Sequence, residues 1–362
     1  MELMDRGLAE MEISVRGESS TKTRRRKKGV IRNSQPESIE ELQKMFSEME
    51  EQYCRERGIP MEQGPPTDEQ EMDDYRKFWE RCYGPRFGSF DAETSLGPMC
   101  CSDGPIPESA YPERSVQFFS IKVTDLSYDL SWPLQVYGFV AARDEVDHKR
   151  NYLFRCTRGT CQTLTGKDPF LRLTGPSRAV LLTDQVVIEV QLKVKGNKEE
   201  SEDKVLAFKR FVLNRNYPLE DSIRSQRCQL DFALAVLPKS VEALVDVRVV
   251  AGSWPDQCPG LIICKTTGHV KEGEEMLLLG FQDGKLPVKS DGTVELSRRV
   301  ISVDFPVGKL IFSVEASRNR FSAKGTAEFG VKTSGESTRT CDLVFCKMEV
   351  TVSWSLVSVN RG

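Results

Sequence analysis

From Val186 the chain alternates with period two. Val186, Ile188, Val190, Leu192 and Val194 interleave with Val187, Glu189, Gln191 and Lys193. Near the other end Met348, Val350, Val352, Trp354 and Leu356 interleave with Glu349, Thr351, Ser353 and Ser355. A strand sends successive side chains to opposite faces, so this pattern predicts long strands with one apolar and one polar face. Ile301, Val303 and Phe305 repeat it, as do Leu310, Phe312 and Val314. In SVQFFSIKV the parity changes between Phe118 and Phe119, which predicts a bulge. PLQVYGFVAA is apolar on both faces and predicts a central strand.

Turn signals separate these runs. Asp283-Gly284 and Asp291-Gly292 suit tight hairpins, and Gly196-Asn197 opens an acidic loop. Short strands with frequent turns argue a sandwich or barrel, and the short connections argue antiparallel pairing. The expected fold is all-β: an antiparallel β-sandwich or open barrel of roughly a dozen strands. A short helical hairpin and a disordered basic tail are expected to precede it.

Those leading zones differ in composition. Residues 1–36 carry Lys22, Arg24, Arg25, Arg26, Lys27 and Lys28 and little to bury, which predicts a disordered tail. The run suits a nuclear-import signal, and more weakly a nucleic-acid backbone. Residues 37–82 hold two helical patterns. Ile39, Leu42, Phe46, Met49 and Tyr53 form a stripe that a partner helix or the chain's own β domain would cover. Two heptads are short for a coiled coil. Thr67 and Gln70 have capping-box spacing, and Met72, Tyr75, Trp79 and Cys82 follow as a second stripe. Residues 84–112 are rich in Gly, Pro and Ser and predict an irregular arm. The β-rich domain is expected over residues 83–360.

Residue chemistry narrows the function classes. The chain has 362 residues, 39% of them hydrophobic, enough for a sizeable core. Net charge is −3, so any polyanion contact must be local. The first residues lack the apolar run of a secretory leader, and no run reaches membrane-span length. A cytoplasmic or nuclear setting without membrane contact is expected. Eleven irregularly spaced cysteines then read as reduced, mostly buried thiols. None has the short CxxC spacing of a zinc knuckle, so no metal or cofactor is expected. The two histidines, His148 and His269, read as turn residues, which weakens acid–base and nucleophilic mechanisms. Asp125, Asp129, Asp144, Asp147 and Asp184 are the candidates for a calcium site at one end of a sandwich; ordinary turn aspartates are the plainer reading. In VEASRNRF, Glu315 and Arg318 stand three apart, a spacing that converges on a helix but not on a strand. That string resembles the core of ribosome-inactivating N-glycosylases. Its alternating flanks instead predict a hairpin.

The β region resembles the plant, grass-expanded domain-of-unknown-function family 6598. The resemblance is carried by VQFFSIKVTDL, WPLQVYGFVAARDEVDHKRNYLF, DPFLRLTGPSRAV, VVIEVQLKVKG and CKMEVTVSWSLVS. It implies a β-rich fold, no assigned activity, no catalytic residues to carry over, and a stress or defence setting. The expected function is a non-enzymatic module that binds a protein partner. The alternatives are a ribosome-directed rRNA N-glycosylase or a partner of one, and a calcium- or lipid-binding β-sandwich.

Overall fold

The computed structural model describes residues 67–99, 106, 108, 110–196, 198–214, 222–318 and 321–357. The basic run Lys22–Lys28 and the stripe from Ile39 to Tyr53 lie outside the described residues. Residues Pro66–Gly362 cluster as one unit.

It begins with helix α1 (Asp68–Cys82) and the four-residue helix α2 (Gly84–Phe87). Thr67 accepts from the Gln70 N–H, and the Gln70 side chain accepts in turn from the Thr67 N–H, so the capping box forms as the spacing requires. The first half of the β region holds β1 (Glu113–Thr124), β2 (Leu134–Arg143), β3 (Asn151–Cys156), β4 (Gln162–Leu164), β5 (Val180–Leu181), β6 (Gln185–Val194), β7 (Lys204–Asn214) and β8 (Ser222–Arg224). The 24-residue strand β9 (Gln229–Gly252) follows. The second half holds β10 (Gly260–Thr266), β11 (Met276–Phe281), β12 (Val300–Asp304), β13 (Lys309–Arg318), β14 (Phe321–Gly330), β15 (Gly335–Asp342) and β16 (Cys346–Ser355). The sixteen strands of the described residues exceed the expected dozen because several, such as β5 and β8, are short pairings with no hydrophobic period to read.

Among the described residues the strands form three antiparallel sheets, none closed into a barrel. The central sheet has the order β15-β16-β9-β1-β5, with β12 and β8 also on β9. A second sheet, β3-β2-β6-β7 with β4 beside β2, packs with one end of the central sheet around a first core. The third, β11-β10-β13-β14, packs with the other end around a second core. Strand β9 contributes Leu230 and Phe232 to the first core, and Val241, Ala243, Val245 and Val247 to the second.

The β1–β9 ribbon is the wall between the cores. Its register shifts between Phe118 and Ser120, where the sequence changes parity. Phe118 and Ile121 therefore enter the first core, whereas Phe119 enters the second. A second shift, between Glu113 and Ser115, lies opposite residues 237–240, where Pro238 brings no N–H to the ladder.

PLQVYGFVAA is central as predicted: β2 lies between β6 on one side and β3 and β4 on the other. A Cβ at Gly138 would stand 2.0 Å from the Gln191 carbonyl oxygen, so this strand takes a glycine there. Asp291-Gly292 makes its tight turn, with Val288 bridged to Val294. Asp283-Gly284 instead turns back on residues 257–258 without joining two paired strands.

Candidate functional site

Among the places that bring polar side chains together are a charged clamp beneath α1 and a groove beside the β1–β9 wall.

The clamp starts from Glu189 on β6. The alternating pattern reads Glu189 as solvent-facing, but it is fully buried. The reason is that α1 and the following arm cover this face. Glu189 Oε1 accepts from Arg143 Nε at 2.6 Å, and Oε2 accepts from Arg150 Nε at 2.7 Å. Burial alone would lower the Arg150 pKa, but Glu189 outweighs it and the net direction is upward. Phe90 lies against both guanidinium groups, 4.3 Å from Arg143 and 5.1 Å from Arg150. Arg143 also donates to the Phe90 carbonyl at 2.6 Å and to the His148 carbonyl at 2.8 Å. Trp79 is buried and donates its indole N–H to that same His148 carbonyl at 3.0 Å. Asp91 accepts from Arg76 at 2.8 and 2.9 Å and pairs with Arg150 at 2.9 Å. The Arg76 hydrogen bond holds its carboxyl below the usual range.

His148 is thus not a solvated turn residue. It has φ 53° and stacks on Tyr83 at 3.9 Å. Burial pushes its pKa down. His269 fits its turn better: its exposed ring sits 2.7 Å from the buried carboxylate of Asp304.

Four of the five calcium candidates are engaged elsewhere. Asp144 forms a two-pronged pair with Arg178 at 2.7 and 2.8 Å, and Asp147 joins it at 3.0 Å. Asp129 meets Arg227 and Lys204, and Asp125 meets Arg224. Among the described residues no group of three or more His, Cys, Asp or Glu could hold a metal ion. Arginines and a lysine occupy the oxygens a cation would need.

Glu315 and Arg318 lie on β13, where a spacing of three puts them on opposite faces. Glu315 pairs with Lys324 on β14 at 2.7 Å. Arg318 donates to the Asp256 carbonyl and the Gln257 side chain. The two do not converge on a common point. Ser317 and Arg318 pair with Ser322 and Phe321, so the hairpin expected here forms.

The groove encloses about 380 Å³. Its floor is the β1–β9 ribbon, with Lys122 directly across from Asp231. One wall is Phe170, which bridges to Lys122 and keeps 43% of its surface exposed. The other wall is the β10–β11 loop, with Lys271 and Glu274. Burial would raise the Asp231 pKa, but Gln229, Ser222 and Thr124 all donate to its carboxylate and the net direction is downward. Neither Lys122 nor Lys271 is held in a salt bridge among the described residues. Sequence reasoning missed this groove because its residues come from five separate segments.

A family model described as "Domain of unknown function (DUF6598)" matches residues 115–352. The chain belongs to this family. The match runs from β1 into β16, so the first core and all of the second but Trp354 and Leu356 among their buried residues fall within it, whereas α1 and the arm precede it. No curated protein matches the chain. Among solved structures, human GIVD cytosolic phospholipase A2 is similar at 9% identity and a TM-score of 0.21, over 69% of this chain and 33% of that one. The chain thus spans about a third of that phospholipase. A pair of C2 domains from Extended-Synaptotagmin 2 is similar at 9% identity and a TM-score of 0.23, over 74% of this chain and 99% of theirs. Neither likeness is close enough to bear on fold or function.

Proposed function

We propose that this DUF6598 chain is a non-enzymatic protein-interaction module whose groove receives an extended, acidic segment of a partner. The carrying observation is a partly exposed ring, Phe170, with the Lys122 ammonium 5.9 Å from its centroid and Lys271 also lining the groove, neither lysine making a salt bridge among the described residues. An aromatic ring beside such ammonium groups suits an apolar side chain next to a carboxylate. Surrounding strands fix the floor, so the groove needs no large rearrangement to accept a segment. The setting we propose is the cytoplasm or nucleus of a plant cell under stress or attack. It rests on the family resemblance and on the basic run at 22–28, whose nucleic-acid contact would be secondary.

The test is affinity purification from plant cells with the full chain and with a Lys122→Glu, Phe170→Ala, Lys271→Glu variant. Proteins that copurify with the unaltered chain should be lost from the variant. An unchanged set would refute the groove as the binding surface.

A further inference from the structure

We propose that Cys156 and Cys161 form a reversible disulfide site, closed by a low-molecular-weight disulfide such as oxidised glutathione and reopened by thiols. This inference is independent of the groove.

The site is built into one edge of β2. Strand β3 pairs along that edge as far as Cys156, which lies opposite Gly138, and β4 resumes at Gln162, opposite Val136. Five residues, 157–161, therefore stand where a continuous strand would place one, opposite Tyr137. The chain bulges outward there and returns, and the two cysteines form the neck of the bulge. Two steps along a strand edge span about 7 Å, and a disulfide needs its Cα atoms within about 7 Å of each other. The main-chain N–H that follows Cys161, that of Gln162, is directed at the Cys156 sulfur. Both thiols also point back at β2. Cys156 donates to the Val136 carbonyl at 3.4 Å, and Cys161 to the side-chain oxygen of the adjacent Gln135 at 3.5 Å. These are weak bonds that either sulfur can give up.

The bulge is held in a closed shape with both thiols free. The Thr160 N–H donates to the Thr157 carbonyl at 3.1 Å, and the two threonine hydroxyls meet at 2.9 Å. Arg158 is fixed to Asp203 at 2.8 and 3.1 Å. Joining the sulfurs thus orders little that is not ordered already. Exposure sets this pair apart. Cys156 and Cys161 are half-buried, whereas Cys228, Cys258, Cys264, Cys341 and Cys346 are buried and closed to an oxidant in the folded chain.

The two thiols take different roles. Cys156 packs against the first core, and burial pushes its thiol pKa up, so Cys161 attacks first. Cys161 loses its proton to water, and its thiolate attacks one sulfur of oxidised glutathione. A Cys161–glutathione bond forms as one glutathione thiolate leaves. Cys156 then gives up its proton and attacks the Cys161 sulfur, expelling the second glutathione. Two protein thiols are oxidised and one small disulfide is reduced to two thiols; reduced glutathione reverses both steps. In a reducing compartment such a pair stays open and closes when the thiol pool turns oxidising.

The test equilibrates the full chain with a series of ratios of reduced to oxidised glutathione. Each sample is quenched in acid, alkylated after denaturation, cut with trypsin and weighed. Cleavage after Arg155, Arg158 and Lys167 leaves the site as a linked pair of peptides, 156–158 and 159–167. That pair should appear with about tenfold less oxidised glutathione than any link among the buried cysteines, and vanish with dithiothreitol. In Cys156→Ser, Cys161 should accumulate the glutathione adduct about tenfold above its level in the unaltered chain, because nothing resolves it. Absence of the linked pair while the chain still melts cooperatively would overturn the proposal, as would a link formed only on unfolding. Equal adduct on Cys161 in both chains would overturn it too. If Cys156→Ser does not fold, the titration of the unaltered chain decides alone.

Discussion

The two cores bury charge in different ways. Around the first core, Arg143, Arg150 and Arg178 are each matched by Glu189, Asp144 or Asp147 within hydrogen-bonding distance. In the second, Arg298 is buried with no carboxylate partner among the described residues. It donates to the Phe118 and Phe119 carbonyls at 2.7 and 3.3 Å, and burial pushes its pKa down to about 10. The first arrangement neutralises charge at a face that another segment covers. The second donates to main-chain carbonyls at the β1 bulge, beside the Gln117 side chain that also donates to the Phe118 carbonyl. Paired ions therefore lie where α1 and the arm pack on the sheet, and the lone cation lies at the β1 bulge.

This contrast can be broken by mutation. Glu189→Ala leaves the buried Arg143 without a carboxylate and Arg150 with Asp91 alone, and should cost about 3–5 kcal/mol in urea unfolding. A loss under about 1 kcal/mol would mean that water reaches the clamp and that the cover is already loose. Arg298→Met removes a donor from the Phe119 carbonyl and one of two side-chain donors from the Phe118 carbonyl but strands no ion, and should cost about 1–3 kcal/mol. If it exceeds the Glu189 effect, the contrast between the two cores fails.

Acid should act on the clamp. The folded-state pKa of Asp91 is depressed by its bond to Arg76, so its contribution is present above the ordinary carboxylate range and lost as pH falls through it. Thermal melts between pH 6 and pH 3 should show a steeper decline for the unaltered chain than for Asp91→Asn. Parallel curves would remove Asp91 from the clamp. The smallest effect is expected at β13, where Glu315→Ala breaks an exposed pair and should shift stability by no more than about 0.5 kcal/mol. A depurination assay on ribosomes should give no activity with either form. Activity lost on that substitution would instead revive the glycosylase reading.

Much of the strand architecture was legible because burial on one face writes a period of two into the residues. The bulge at Phe118–Phe119, the central position of β2 and the capped helix at Thr67 were all visible in local patterns. The clamp was not. Glu189 sits in an alternating run broken only by Val187, and a segment from a distant part of the chain turns its polar face inward. Asp144, Asp147 and His148 looked like turn residues for the same reason: local spacing says nothing about Arg178 or Tyr83 arriving from elsewhere. The length of β9 was hidden as well, because Pro238 reads as a strand end until the register shift that accommodates it is seen.

Strand β9 also sets a timetable for synthesis. Ser115 on β1 meets Ser240 on β9, 125 residues later in the chain. The far half of β9 must wait again, for β16. On the ribosome, β1 therefore emerges with apolar residues on both faces and no principal partner until β9 is made. Newly made chains should be most in need of chaperones during that interval, and truncation within β9 should leave a fragment that aggregates instead of one sound half.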